Sequence, residues 1–209
     1  MFLKKITFTR WADKKEMVKS KLNKITLVVG NSGSGKSYLL KEIFYGTNPN
    51  DNFDRYLITP HNDSSFIRRH NGIPVMGLHK SYFNRNHHLW FEHYASITGD
   101  KILDDSFNED IEDVNGNRYA LHQLPASRKK MMSILSFLAD KRMMAPSDLA
   151  LKDNSLILID EFENSLHPTI QLAFLRVLDR YMPDNHQFII STHSPLVGTQ
   201  FPSKDRIYL

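Results

Sequence analysis

The sequence predicts an α/β fold, a mostly parallel sheet flanked by helices, and three observations carry that prediction. The apolar run Ile25-Thr26-Leu27-Val28-Val29 leads straight into Gly30-Asn31-Ser32-Gly33-Ser34-Gly35-Lys36-Ser37, a complete G-x-x-x-x-G-K-S phosphate loop, and helical spacing follows from Tyr38 to Phe44. Two further apolar runs, Leu156 to Ile159 and Gln187 to Ile190, each end in a cluster of polar residues. Strand and helix periods alternate around them, the order that builds a parallel sheet covered on both faces. The class is therefore a P-loop NTPase. A chain of 209 residues supplies one such domain, 1–209, and is too short for two.

Taken in order, Phe2 to Thr9 reads as a strand of an N-terminal antiparallel β part, joined to the strand at Ile25 by a lysine-rich segment containing Trp11. The helix after the phosphate loop ends near Gly46, Asn48 to Asn52 is a turn-rich break, and Arg55 to Pro60 is a short strand. Residues 63–113 are irregular and read as an inserted helical lobe carrying Tyr82, Phe83, His87, His88, Trp90, Phe91, His93 and Tyr94. Asn115-Gly116, between Ile111 to Val114 and Arg118 to Leu121, signals a two-residue hairpin. Ser127 to Met144 has helical period, with Met131, Ile134, Leu135 and Leu138 on one face, and a loop spans Ala145 to Asn154. Then come the strand Leu156 to Ile159, a helix from Ile170 to Tyr181, the strand Gln187 to Ile190 and a last strand at Arg206 to Leu209.

The formal charge of +4 is unevenly placed. Lys4, Lys5, Arg10, Lys14, Lys15, Lys19, Lys21 and Lys24 crowd the first strands, whereas Asp100 to Asp113 is acidic. Two readings stand: a surface for nucleic acid or an acidic partner, and a solvated basic face that attracts nucleotide. There is no cysteine, no apolar run of membrane-spanning length and no secretory pattern at Met1 to Lys5, so a cytoplasmic protein without a membrane partner is expected. His87, His88 and His93 match no zinc spacing and read as surface or packing.

The chemistry follows from the needs of a polyphosphate. Glycines 30, 33 and 35 let main-chain N–H groups form an anion nest at a helix N-terminus, and Lys36 adds a movable cation for the β- and γ-phosphates. The Ser37 hydroxyl suits Mg²⁺. Candidate nucleotide contacts are thus Gly30, Asn31, Ser32, Gly33, Ser34, Gly35, Lys36, Ser37 and Tyr38. Asp160 and Glu161, at a strand's carboxyl end, need two tasks: Asp160 to hold Mg²⁺ and Glu161 to polarise the attacking water. His193, after the next strand, can donate to the γ-phosphate or to that water.

In combination, Asp160-Glu161-Phe162-Glu163-Asn164-Ser165-Leu166-His167-Pro168 and Ser191-Thr192-His193-Ser194-Pro195 resemble ABC-type ATPase heads of the RecF-like and OLD-like, DNA-repair and phage-defence branch. The resemblance covers about 1–45 and 115–209 and is weak between. It implies that Glu163, Asn164 and His167 lie in a D-loop crossing to a second subunit, and that His193 is the switch histidine. The family's signature segment falls at Leu124-Pro125-Ala126-Ser127-Arg128-Lys129-Lys130, which departs from the usual serine and glycine. Ser127 as a helix cap with Arg128 or Lys129 as phosphate ligand is one reading; a degenerate signature with slow or partner-dependent hydrolysis is the other. No glutamine lies between Ser37 and Gln123, so the family's glutamine loop has no clear counterpart, His61 or Asn62 being substitutes. Trp11 or Phe8 are candidates to stack on adenine, buried aromatics being the commoner reading. No heptads for long coiled-coil arms occur.

The resemblance implies a stand-alone ATPase that dimerises head to tail on ATP and Mg²⁺ and controls DNA or a partner protein, with any nuclease or effector activity on another polypeptide. A non-hydrolysing, ATP-binding regulatory module and a P-loop kinase of small molecules are the alternatives.

Overall fold

A computed structural model describes residues 3–10, 13–46, 53–59, 65–70, 73–78, 87–105, 108–120, 123–125, 128, 131, 135, 154–164, 166–181 and 185–209. The N-terminal part is a hairpin of β1 (Lys5–Thr9) and β2 (Glu16–Ser20), paired antiparallel with Ile6 opposite Lys19 and Phe8 opposite Met17. β2 lies in the lysine-rich segment read as a connection. Its inward positions are Met17 and Lys19, only half-buried, so no apolar alternation announced it.

The main sheet has the order β12-β3-β11-β10-β4-β5-β6. Five of these strands are parallel: β3 (Ile25–Val29), β4 (Asp54–Ile58), β10 (Ser155–Ile159), β11 (His186–Thr192) and β12 (Arg206–Tyr208). β5 (Ser65–His70) and β6 (Ile73–Leu78) extend the sheet beyond β4 as an antiparallel hairpin. β7 (Lys101–Asp105), β8 (Asn108–Glu112) and β9 (Arg118–Ala120) form a separate antiparallel sheet. Within 63–113 the described helix is α2 (His87–Thr98), which carries the second half of the aromatic and histidine cluster; Tyr82 and Phe83 lie outside the described residues. Strands fill much of the expected helical lobe, because β5 gains its ladder from β4 rather than from its own propensity.

The parallel strands are buried on both faces, so successive side chains feed two cores. Ile157 and Ile159 of β10, with Phe188 and Ile190 of β11, pack against Phe174, Leu175 and Leu178 of α3 (Pro168–Tyr181) and Tyr94 and Ile97 of α2. Leu156, Leu158 and Ile189 face the other way, onto Leu39, Leu40 and Phe44 of α1 (Lys36–Tyr45) and Ile6 and Phe8 of β1. Each such aliphatic side chain contributes about 1.5–3 kcal/mol on burial. Together they hold the strand ends in fixed register.

Two smaller readings change. The hairpin between β8 and β9 has a five-residue turn, not a two-residue one: the Asp113 amide donates to the Asn117 carbonyl, and Asp113 Oδ1 accepts the amides of Asn115 and Asn117. The Gly116 amide also donates to the Asp113 carbonyl, so the Asp113 side chain reinforces a main-chain turn. In the segment from Ser127, Arg128, Met131 and Leu135 are helical, Met131 and Leu135 being buried; Ile134, Leu138 and the loop from Ala145 lie outside the described residues.

Candidate functional site

The loop between β3 and α1 turns where glycine is required. Gly33 and Gly35 have φ of 76° and 97°, the left-handed region, and Gly35 caps α1. Gly30 is required for a different reason: a Cβ there would lie 2.8 Å from the Leu209 carbonyl oxygen and 2.5 Å from Ser34 Oγ. Lys36 opens α1 and is buried, its Nζ donating to the carbonyls of Gly30 at 2.9 Å and Asn31 at 2.7 Å. Burial pushes the Lys36 ammonium below its ordinary pKa, against the opposing fields of Glu161, Glu163 and Asp160. A cavity of about 220 Å³ opens here, lined by Gly33, Gly35, Lys36, Ser37, Tyr38 and Glu161. Asn31 and Ser32 are exposed at its loop, and Ser34 is half-buried.

Sheet register brings the acidic pair to the same edge. Ile159 pairs with Ile190, so Asp160 stands beside Ser191, whose Oγ donates to Asp160 Oδ1 at 2.5 Å and accepts the Glu161 amide at 2.8 Å. Glu161 has φ of 46°, a left-handed conformation that is strained for a residue with a side chain and recurs at functional turns. From there the chain turns, with Asn164 N donating to the Glu161 carbonyl and Leu166 N to that of Glu163. Ser37 and Asp160 offer a hydroxyl and a carboxylate, the oxygen donors that Mg²⁺ prefers, so the residues fit that ion.

β11 pairs Thr192 with Val29, which delivers His193 next to the phosphate loop. Its Nε2 lies 3.2 Å from Glu161 Oε1 and 3.9 Å from Glu163 Oε1, and its amide donates to Glu163 Oε1 at 2.5 Å. Thr192 Oγ1 accepts the Ser194 amide, and Ser194 caps α4 (Pro195–Gln200), fixing the turn beyond the histidine.

The sequence singled out Lys36, Asp160, Glu161 and His193 separately, and the structure brings them together. Glu163 is buried against His193 of its own chain, whereas Asn164 and His167 are exposed, His167 Nδ1 lying 2.8 Å from Thr169 Oγ1. Arg128 pairs with Asp100, a fully buried carboxylate that also accepts the Tyr94 hydroxyl at 2.8 Å. Phe8 lies in the core beneath α1. Ser127, Trp11, His61 and Asn62 lie outside the described residues. Among the described residues no group of three acidic or histidine side chains could hold a metal by itself, and no helix is long and apolar enough to cross a membrane. Sequence reasoning passed over Ser191, although its place at a buried strand end, two residues before His193, was a usable signal.

Residues 131–197 match the family described as "AAA domain, putative AbiEii toxin, Type IV TA system". A curated relative, "Retron Vc95 probable ATPase" from Vibrio cholerae serotype O1 biovar El Tor, is 34% identical over 92 residues. That match takes in 43% of this chain, which spans only 18% of the relative's length. The solved SMC head domain from Thermotoga maritima superposes with a TM-score of 0.53 and 16% identity, over 95% of this chain and 92% of that one, and thus shares its fold. The family match and the retron relative, each over less than half of the chain, support an ATPase of AAA type, and the SMC head shows the fold expected from the resemblance to ABC-type heads.

Proposed function

We propose that this chain binds ATP with Mg²⁺, hydrolyses it with Glu161 as general base, and closes head to tail with a second copy to control DNA or a partner protein. Lys36 and Glu161 line one cavity, Asp160 lies within the field of Lys36, and His193 stands 3.2 Å from Glu161; this convergence supports the reading. The nest of N–H groups after Gly30 and the Lys36 ammonium bind and orient the phosphates. Ser37 and Asp160 hold Mg²⁺, which neutralises phosphate charge when bound. Glu161 accepts the proton of the attacking water, and His193, whose Nε2 lies 3.2 Å from that carboxylate, turns the same N–H toward the γ-phosphate when nucleotide is bound. Exposed Asn164 and His167 complete the shell of a facing subunit. The similarity to a retron ATPase favours the phage-defence side of the resemblance.

The test is a mass measurement of the Glu161→Gln variant with and without ATP and Mg²⁺. Doubling of mass with nucleotide is expected; unchanged mass would overturn the dimer, and undiminished turnover the base assignment. A second reading, a regulatory module that binds ATP without hydrolysing it, is favoured by Arg128, whose guanidinium is engaged by Asp100 in the segment that lacks the usual serine and glycine. Steady-state turnover with and without DNA separates the two.

A further inference from the structure

Glu163 sits in the turn just past the acidic pair, with 8% of its surface exposed. Its Oε1 accepts the His193 amide at 2.5 Å, and its Oε2 is shielded from solvent without a hydrogen-bond partner among the described residues. A buried carboxylate with one oxygen unmet is costly to keep, and an apolar side chain of similar volume would fill the space at less cost. The field of Glu163 on the buried Lys36 ammonium offsets part of that cost. Geometry gives the acid a further reason: the carboxylate ties the main chain at His193 to the turn that also carries Glu161, and the His193 ring faces Glu161 at 3.2 Å.

We propose that Glu163 is a positioning residue of the ATP site, acting within its own subunit. It locks the His193 main chain to the turn from Glu161 to Leu166, so that the histidine ring and the carboxylate of Glu161 hold a fixed separation and move as one unit. The sequence placed Glu163 in a loop reaching toward a partner; its burial leaves exposed Asn164 and His167 as the part of that loop open to another chain. The consequence for turnover rests on the ATPase reading above, whereas the contact itself does not.

Glu163→Gln and Glu163→Leu in the full chain test this through the His193 amide proton by ¹⁵N NMR, thermal unfolding, ATP affinity and ATP turnover. A charged acceptor at 2.5 Å draws the amide proton downfield, so it should move upfield in the Gln variant and further in the Leu variant. Glu163→Leu should melt within a few degrees of the parent, the relieved burial of charge offsetting the lost amide bond, and keep ATP affinity within about threefold, while turnover falls by on the order of tenfold to a hundredfold, the cost of misplacing a reacting group. An unmoved amide, or a moved amide with unchanged turnover, would overturn the proposal. So would affinity, turnover and melting temperature all falling together, the mark of a structural role. A parent chain that binds ATP without hydrolysing it sinks the ATPase reading and with it the role of Glu163 in turnover; an unmoved amide in a hydrolysing chain sinks the positioning role alone.

Discussion

Ser191 Oγ donates to Asp160 Oδ1 at 2.5 Å and accepts the Glu161 amide at 2.8 Å, so one hydroxyl joins the ends of β10 and β11. Ser191→Ala removes one hydrogen bond from the Asp160 carboxylate and one from the Glu161 amide. Loss of about 1–3 kcal/mol in urea unfolding is expected. Turnover should fall further than ATP affinity, since the hydroxyl orients Asp160 and Glu161 together; equal losses in both would mean that Ser191 serves the fold alone.

The backbone of Glu161 stores strain that its side chain must justify. At φ of 46° a residue with a Cβ costs about 1 kcal/mol that glycine does not. Glu161→Gly and Glu161→Gln should both lower turnover by on the order of 10²–10⁴-fold, the span of general-base catalysis. Only the glycine variant relieves the strain, so it should unfold about 1 kcal/mol later than the glutamine variant. Equal stabilities would show that the turn has no strain to release.

The legibility of this chain follows burial. The strands β3, β10 and β11 were visible because their positions are buried on both faces and leave continuous apolar runs, and each ends in the residues that form the site. β2 and β5 were not, since Glu16–Ser20 and Ser65–His70 carry charged or polar residues and owe their conformation to neighbours distant or later in sequence. The motif residues Lys36, Asp160, Glu161 and His193 were legible as types. The contacts that tie them together were not: the hydroxyl of Ser191 and the carboxylate of Glu163 depend on the register of β10 with β11, which no local pattern encodes.

Two glycines of the phosphate loop should fail in different ways. At Gly30 an added methyl meets the Leu209 main-chain carbonyl at 2.8 Å, which cannot yield without displacing the chain beyond β12. Gly30→Ala should cost about 1–3 kcal/mol as overpacking, with nucleotide affinity lost alongside. At Gly33 nothing lies within 4 Å, and only the φ of 76° resists. Gly33→Ala should cost about 1 kcal/mol, and glycine's advantage there should vanish if the loop relaxes to negative φ. Thermal unfolding of both variants checks the ranking.

Asp100, fully buried, takes both the Tyr94 hydroxyl and the Arg128 guanidinium, and thereby ties α2 to Arg128. Burial, reinforced by the bond to Asp100, pushes the Tyr94 phenol above its usual pKa, so it remains a donor. Arg128→Ala strands the carboxylate and should cost about 3–5 kcal/mol, whereas Asp100→Leu with Arg128→Met should recover most of it. A double-mutant cycle of denaturant midpoints measures the coupling. Additive losses would free Arg128 for the phosphate of a facing subunit.

With Lys36 as the proposed phosphate ligand, nucleotide binding and fold stability should respond to alkaline pH with opposite signs. Burial, against the fields of Glu161, Glu163 and Asp160, holds its ammonium below the 10.5 of an ordinary lysine. The unfolded chain keeps the ordinary value, so between the two values it binds more protons than the folded chain, and the contribution of Lys36 to unfolding free energy rises with pH. The phosphates need the ammonium, so ATP affinity falls as pH passes through the folded value. Nucleotide titrations should therefore weaken at a pH below 10.5, while the melting temperature without nucleotide, compared with Lys36→Met, gains over the same range. Affinity that holds steady up to 10.5 would show that the lysine is not desolvated as its burial requires, and that the carboxylates around it compensate fully.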